Sequence, residues 1–158
     1  MKKELLKGLT MLSLLVVIAL ATAVASANAQ TANRVIASVP FEFSVGYKSM
    51  PAGEYAVRSI ASAGDAVMIQ SVDAKLSALR QTEATVQLKN NNHARLVFHR
   101  YGERYFLAEV WNGADKTGRQ LMKSQEEREA ESELASISSP GGVAKNTFEI
   151  VEIVAANR

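Results

Sequence analysis

The chain has 158 residues, no cysteine, and 18 Lys/Arg against 16 Asp/Glu for a formal net charge of +2. Lys2, Lys3, Lys7 and Glu4 all precede residue 29, so the remainder carries 15 charges of each sign, and no basic run points to nucleic acid or an anionic surface. The lack of cysteine excludes disulfide staples, thiol catalysis and a lipid-modified cysteine.

The first element reads as an export signal. Lys2, Lys3 and Lys7 make a basic start, residues 9–24 are an uncharged apolar run, and Ala27-Asn28-Ala29 ahead of Gln30 is a small-residue cleavage signature. The expected organisation is therefore a signal peptide over 1–29 and a single β-rich domain over 30–158. Left uncleaved, an apolar run of about 16 residues sits at the lower edge of a bilayer span and would act as an anchor. The stretch Gly8-Leu9-Thr10-Met11-Leu12-Ser13 also looks like the processing motif of type IV pilins and pseudopilins. Ser13 stands where those proteins carry a carboxylate, and Pro40 with an alternating strand arrives where their long first helix would continue.

The remaining stretch, about 129 residues, suits one domain that removes roughly two-thirds of its unfolded surface from water. Its one Trp, four Tyr and five Phe all follow the signal, mostly in strand-like segments. Val39, Phe41, Phe43 and Val45 recur with period two and predict a half-buried strand, with Pro40 suited to an edge or a strand start. The loop 46–53 closes with Met50-Pro51-Ala52-Gly53, a tight reversal. Strands are predicted over 55–60 and 66–72, joined by a hairpin loop over 61–65, and over 79–89, where Ala84, Val86 and Leu88 share one face. Asn90-Asn91-Asn92-His93 then turns the chain.

Residues 95–111 predict a hairpin around Gly102-Glu103, because glycine in the first central position suits a type II′ turn. Tyr101 should then oppose Arg104, Arg100 Tyr105, and Phe98 Leu107. Leu96, Phe98 and Leu107 share one face, and Val97, Phe106, Ala108 and Val110 the other, so each face needs a cover. One candidate cover is a helix over 125–135, announced by the reciprocal S-x-x-E capping box Ser124-Gln125-Glu126-Glu127 and carrying a narrow apolar stripe of Ala130, Leu134 and Ile137. Residues 138–142 break the chain, and 148–154 return as a final strand. The expected fold is mostly β: an antiparallel β-sandwich or small open barrel of about six or seven strands with one short helix on the C-terminal side.

Chemistry is sparse. His93 and His99 lack the carboxylate spacing of a zinc site, and no nucleophile elbow surrounds any serine. Glu42, Glu54, Glu83, Glu103 and Glu109 read as solvated positions on strand faces or turns, although a glycosidase would need two of them to converge. Glu126, Glu127, Glu129, Glu131 and Glu133 crowd one helix without the spacing of a calcium loop. No phosphate-binding glycine motif occurs. The residues that remain are Tyr47, Tyr55, Tyr101, Tyr105 and Trp111, a candidate recognition surface for a partner or a glycan. Against that stands a packing role, with Tyr105 shielding Arg100 and Trp111 capping the core at a strand end.

Val39-Pro40-Phe41-Glu42-Phe43-Ser44-Val45-Gly46, Pro51-Ala52-Gly53-Glu54-Tyr55, Phe98-His99-Arg100-Tyr101-Gly102, Tyr105-Phe106-Leu107 and Trp111, together with the charged segment 123–129, resemble a group of small, uncharacterised exported bacterial proteins. That resemblance implies an exported β-rich domain and brings with it no activity, cofactor or site residue. The expected function is a non-enzymatic cell-envelope domain, periplasmic or released, that binds an envelope protein or glycan or stabilises an assembly. It would have no catalytic residues, cofactor, metal or nucleic-acid partner, and would meet the membrane only through its signal. A small-molecule or glycan-binding barrel is the alternative, with a pilin-like or anchored envelope protein behind it.

Overall fold

Alternating apolar residues and a few chain-breaking positions set the strands of this protein. A computed structural model describes residues 34–60, 66–73, 75–87, 93–114, 116–138 and 148–157, all within one compact unit. β1 (Arg34–Val39) turns Val35, Ala37 and Val39 inward and stops at Pro40, which has no backbone donor. β2 (Phe43–Val45) and β3 (Lys48–Met50) form a hairpin around Gly46-Tyr47, where Gly46 has φ +68° and supplies the left-handed conformation of a two-residue turn. β4 (Gly53–Ser59), β5 (Ala66–Ser71) and β6 (Ser77–Val86) follow as antiparallel neighbours. Next come β7 (Arg95–Tyr101), β8 (Arg104–Trp111), β9 (Thr117–Leu121), the helix α1 (Gln125–Ser138), β10 (Glu149–Val154) and β11 (Ala156–Asn157).

The hydrogen-bonded order is β10-β7-β8-β9-β6-β5-β4-β1-β11, with β2 attached in parallel to β8 and antiparallel to β3. Two stretches of chain serve as corners. Residues 77–81 of β6 pair with β5, whereas 82–86 pair with β9. β10 pairs with β7, β11 pairs with β1, and only Ala155 separates them, its N–H donating to the carbonyl of Ala94 at 2.8 Å. Both ends of the strand order are therefore held by one C-terminal run of chain. Among the described residues the architecture is mostly β, consistent with a sandwich or open barrel plus one short helix.

The interior is filled by large side chains. Tyr55, Phe43, Phe98, Met50, Ile69 and Leu96 are each less than 2% exposed or close to it, and burial of side chains of this size contributes about 1.5–3 kcal/mol apiece. Their rings meet edge to face: Phe43 lies 5.0 Å from Tyr55 and 5.2 Å from Phe98, and Phe98 lies 5.3 Å from Phe41. The Tyr55 hydroxyl donates to the carbonyl of Pro51, so the polar atom of this buried side chain is satisfied.

Among the described residues there are eleven strands where six or seven were expected, because period-two patterning does not reveal short breaks. The segment expected as one strand around Val39 to Val45 is two, interrupted by Pro40, Phe41 and Glu42, although Val39, Phe43 and Val45 are all buried as anticipated. The Gly102-Glu103 hairpin has the expected register, Tyr101 to Arg104, Arg100 to Tyr105 and Phe98 to Leu107, with Gly102 at φ +63°. Beyond it the ladder shifts between Val97 and Phe98, leaving Ala108 as an extra residue on β8. Val110 consequently opposes Leu96 and joins the main core, not the face of Val97 on which it was expected. On β6, Ala84 and Val86 share a face but are exposed, since this half of the strand runs past the end of β5. The segment 1–29 expected as a signal peptide, the expected loop 61–65, the expected asparagine turn at 90–92 and the expected break at 139–142 lie outside the described residues.

Candidate functional site

The outer face of β7 and β8 is apolar, with Val97, Tyr101, Phe106 and Ala108 all buried, and α1 supplies part of its cover through Ala130, which packs with Tyr101, Phe106 and Phe148. Ser124 starts that helix. Its Oγ accepts the Glu127 N–H at 3.1 Å and its carbonyl accepts the Arg128 N–H at 3.1 Å. In a reciprocal capping box the Glu127 carboxylate would return to the Ser124 backbone. Here it turns instead toward the sheet, where it is 4% exposed and accepts from His99 Nδ1 at 2.8 Å and from the Tyr101 hydroxyl at 3.3 Å.

A carboxylate oxygen accepts, so in this contact His99 Nδ1 carries the proton and donates it. The Phe148 ring lies 4.1 Å from the imidazole, and Lys123 Nζ lies 5.3 Å from the Phe148 ring while pairing with Glu131 at 2.8 Å. Burial, reinforced by the negative charge of Glu127 and then Glu131, raises the Tyr101 pKa well above the ordinary phenol range. Tyr101 is thus a phenol that donates and not a phenolate that attacks. A histidine paired with a carboxylate is also the orienting half of many hydrolytic sites. The side chains of this pair are only 13% and 6% exposed, and the geometry ties α1 to β7.

A second polar cluster lies on the same sheet face. The guanidinium of Arg95 stands 4.7 Å from the Trp111 ring, donates to Gln87 Oε1 at 2.5 Å and approaches Glu152 at 3.6 Å. Trp111 Nε1 donates to Glu109 at 2.8 Å. Gly118 makes room beneath the indole, since a β-carbon there would lie 2.6 Å from the ring.

The five aromatic residues of the candidate recognition surface are placed in different layers. Tyr47 is 67% exposed at the tip of the β2–β3 turn. Tyr55 is in the core, Tyr101 lies in the cluster shared with α1, and Trp111 is sandwiched between Arg95 and Gly118. Tyr105 is half-buried, stacked 4.0 Å from Phe41 and 5.5 Å from the Arg100 guanidinium, the shielding arrangement anticipated for it. A continuous exposed aromatic surface is therefore not formed by these five. His93 is exposed, as are Glu42, Glu54, Glu83 and Glu103, whereas Glu109 is half-buried against Trp111. Among the described residues no group of three or more His, Asp or Glu side chains is placed to hold a metal.

The partnership of Glu127 with His99 joins positions 28 residues apart, and no local pattern announces it. The capping box marked where Glu127 would sit on the helix; only packing of α1 on β7 decides where its carboxylate goes. Arg95 and Phe148 likewise lacked any sequence signal beyond residue type. Comparison of the chain with protein-family models, with curated proteins and with solved structures returns no match.

Proposed function

We propose that the protein is an exported, non-enzymatic domain of the cell envelope that acts by binding an envelope partner or by stabilising an assembly. The observation that carries this reading is the filled interior: Tyr55, Phe43, Phe98, Met50, Ile69 and Leu96 occupy the space that a ligand-binding barrel would keep for its ligand. The alternative of a small molecule held inside the barrel loses its support there. The His99–Glu127 pair, buried between α1 and β7, supports a structural use of the one histidine–carboxylate dyad described above.

Export rests on the basic start, the apolar run and Ala27-Asn28-Ala29 before Gln30, and on the resemblance to small exported bacterial proteins. Among the described residues, no helix is long and apolar enough to cross a membrane. In this reading the domain works in the periplasm, or is released, after cleavage between Ala29 and Gln30. The test is expression of the chain with its own N-terminus in a Gram-negative host, followed by fractionation. Recovery of the shortened chain in the periplasmic fraction is the expected result; retention of the full chain in the cytoplasm overturns export.

A further inference from the structure

The outer face of β1, β4, β5 and β6 is defined by the residues that alternate away from the core. Val35, Tyr55, Val57, Val67 and Ile69 are buried on the inner face, so Ile36, Ala56, Met68 and Val72 point outward. Leu79 of β6 joins them, 57% exposed, and Val72 is 50% exposed. The helix packs elsewhere, on β7 and β8. Along the paired length of these four strands the outward charges are Arg34, Arg58 and Glu54, all exposed, and among the described residues none of the three forms an ion pair.

Register fixes where those charges stand. β4 places Glu54 and Arg58 on this face at positions about 13 Å apart, with Ala56 midway. Arg34 is the register partner of Arg58, so two cations face each other across neighbouring strands, an unfavourable pairing that a carboxylate arriving from outside would relieve. Ser38 is the register partner of Glu54 at the other end. On β5, Met68 lies beside Arg58, its Sδ accepting from Arg58 Nη2 at 3.4 Å, and Val72 lies beside Glu54, whose carbonyl accepts the Val72 N–H at 3.0 Å. The face is therefore positive at one end and negative at the other, with Ile36 and Ala56 between.

A face that changes sign about Ala56 is complementary to itself turned end for end. We propose that two copies of the chain dock through this face about a two-fold axis that passes through Ala56, perpendicular to β4 and in the plane of the contact. Glu54 of each copy then meets Arg58 of the other, with Arg34 alongside. Met68 meets Val72 of the other copy, and Ile36 and Ala56 meet their own counterparts. An anionic membrane or nucleic acid would select a face of one sign, and Glu54 opposes either. The face measures about 20 Å along the strands and about 15 Å across them, small for a specific interface, so monomer and dimer interconvert with concentration. The proposal rests on the structural-interaction part of the proposed function and names the partner as a second copy.

The test is sedimentation velocity on the protein purified from cells expressing the full chain, with Arg58→Glu and Glu54→Arg as charge-reversed variants at exposed positions. In a dimer of Arg58→Glu, carboxylate meets carboxylate at both symmetric contacts, and in a dimer of Glu54→Arg cation meets cation. Each variant alone should have its dimer dissociation constant raised about tenfold or more. Mixed in equal amounts, the two variants regain an attractive pair at both contacts, and the mixture should dimerise within about threefold of the unaltered protein and less well at high salt. Met68→Glu mixed with Val72→Lys repeats the experiment on β5, should a β4 variant fail to fold. An unaltered protein that stays monomeric up to about 1 mM overturns the proposal. So do single variants that associate as well as the unaltered chain, or a mixture no better than its components. Each of these results removes self-association and leaves export to the fractionation experiment, which does not depend on it.

Discussion

Replacing Glu127 by alanine isolates the contact that fixes α1 to the sheet. The side chain is buried and its carboxylate takes a 2.8 Å hydrogen bond from His99 and a longer one of 3.3 Å from Tyr101. A hydrogen bond to a charged group contributes about 1.5–3 kcal/mol, and the Tyr101 contact, long for an O–H donor, belongs at or below the bottom of that range. Truncation also strands the two donors in a dry site and removes a negative charge from the first turn of the helix, a further 0.3–1 kcal/mol or so. The sum is about 2–5 kcal/mol. Since α1 has few other buried residues among those described, Ala130 foremost, the loss should fall on the helix before it falls on the sheet. Urea denaturation followed by far-ultraviolet circular dichroism and by fluorescence of Trp111, the only tryptophan, separates the two. In Glu127→Ala the helical signal should be lost at lower urea than the Trp111 signal. Coincident transitions at the midpoint of the unaltered chain would refute the reasoning, and a double-mutant cycle with His99→Ala should show strong coupling.

Three other perturbations probe separate layers. Both Tyr101 and Tyr55 have pKa values raised by burial above the phenol value of 10.0, so the folded state holds their protons more tightly than the unfolded state. Their stabilisation is complete below pH 10 and declines as pH rises beyond it, by up to about 1.4 kcal/mol per pH unit for each tyrosine. Tyr101→Phe should remove one tyrosine's share of that alkaline slope in equilibrium unfolding; an unchanged slope would show that Tyr101 ionises freely. Gly118→Ala drives a methyl group into the Trp111 ring and should cost about 1–3 kcal/mol with a shift in Trp111 emission, whereas unaltered emission would contradict the packing of the indole. Phe43→Ala should cost about 3–5 kcal/mol, and Phe41→Ala, half-buried on Tyr105, about 2 kcal/mol, as measured by thermal or urea unfolding. The reverse order would misplace the centre of the core.

What the chain discloses by itself depends on the range of the interaction. The β7–β8 turn was legible because a glycine at the first central position dictates the local backbone, and the register near it follows by counting outward from Gly102. The shift at Ala108 was not legible, since an alanine in a bulge resembles an alanine in a ladder, and one extra residue carried Val110 to the opposite face. Alternation on β6 identified which residues share a face, but not that this half of the strand overhangs its neighbour and leaves Val86 exposed. Aromatic composition located five rings without saying which would be core, and burial of Tyr55, Tyr101 and Trp111 is a tertiary outcome. Glu127 combines both ranges: the cap is local, whereas the His99 and Tyr101 contacts need the sheet in place.

Native mass spectrometry of the protein recovered from cells expressing the full chain reads its processing and any retained small molecule together. An exported domain with a filled interior predicts a polypeptide beginning at Gln30 and carrying no stoichiometric small-molecule adduct. A chain beginning at Leu9 or retaining all 158 residues would contradict cleavage at Ala29, and a reproducible one-to-one adduct would return the barrel interior to a ligand-binding role.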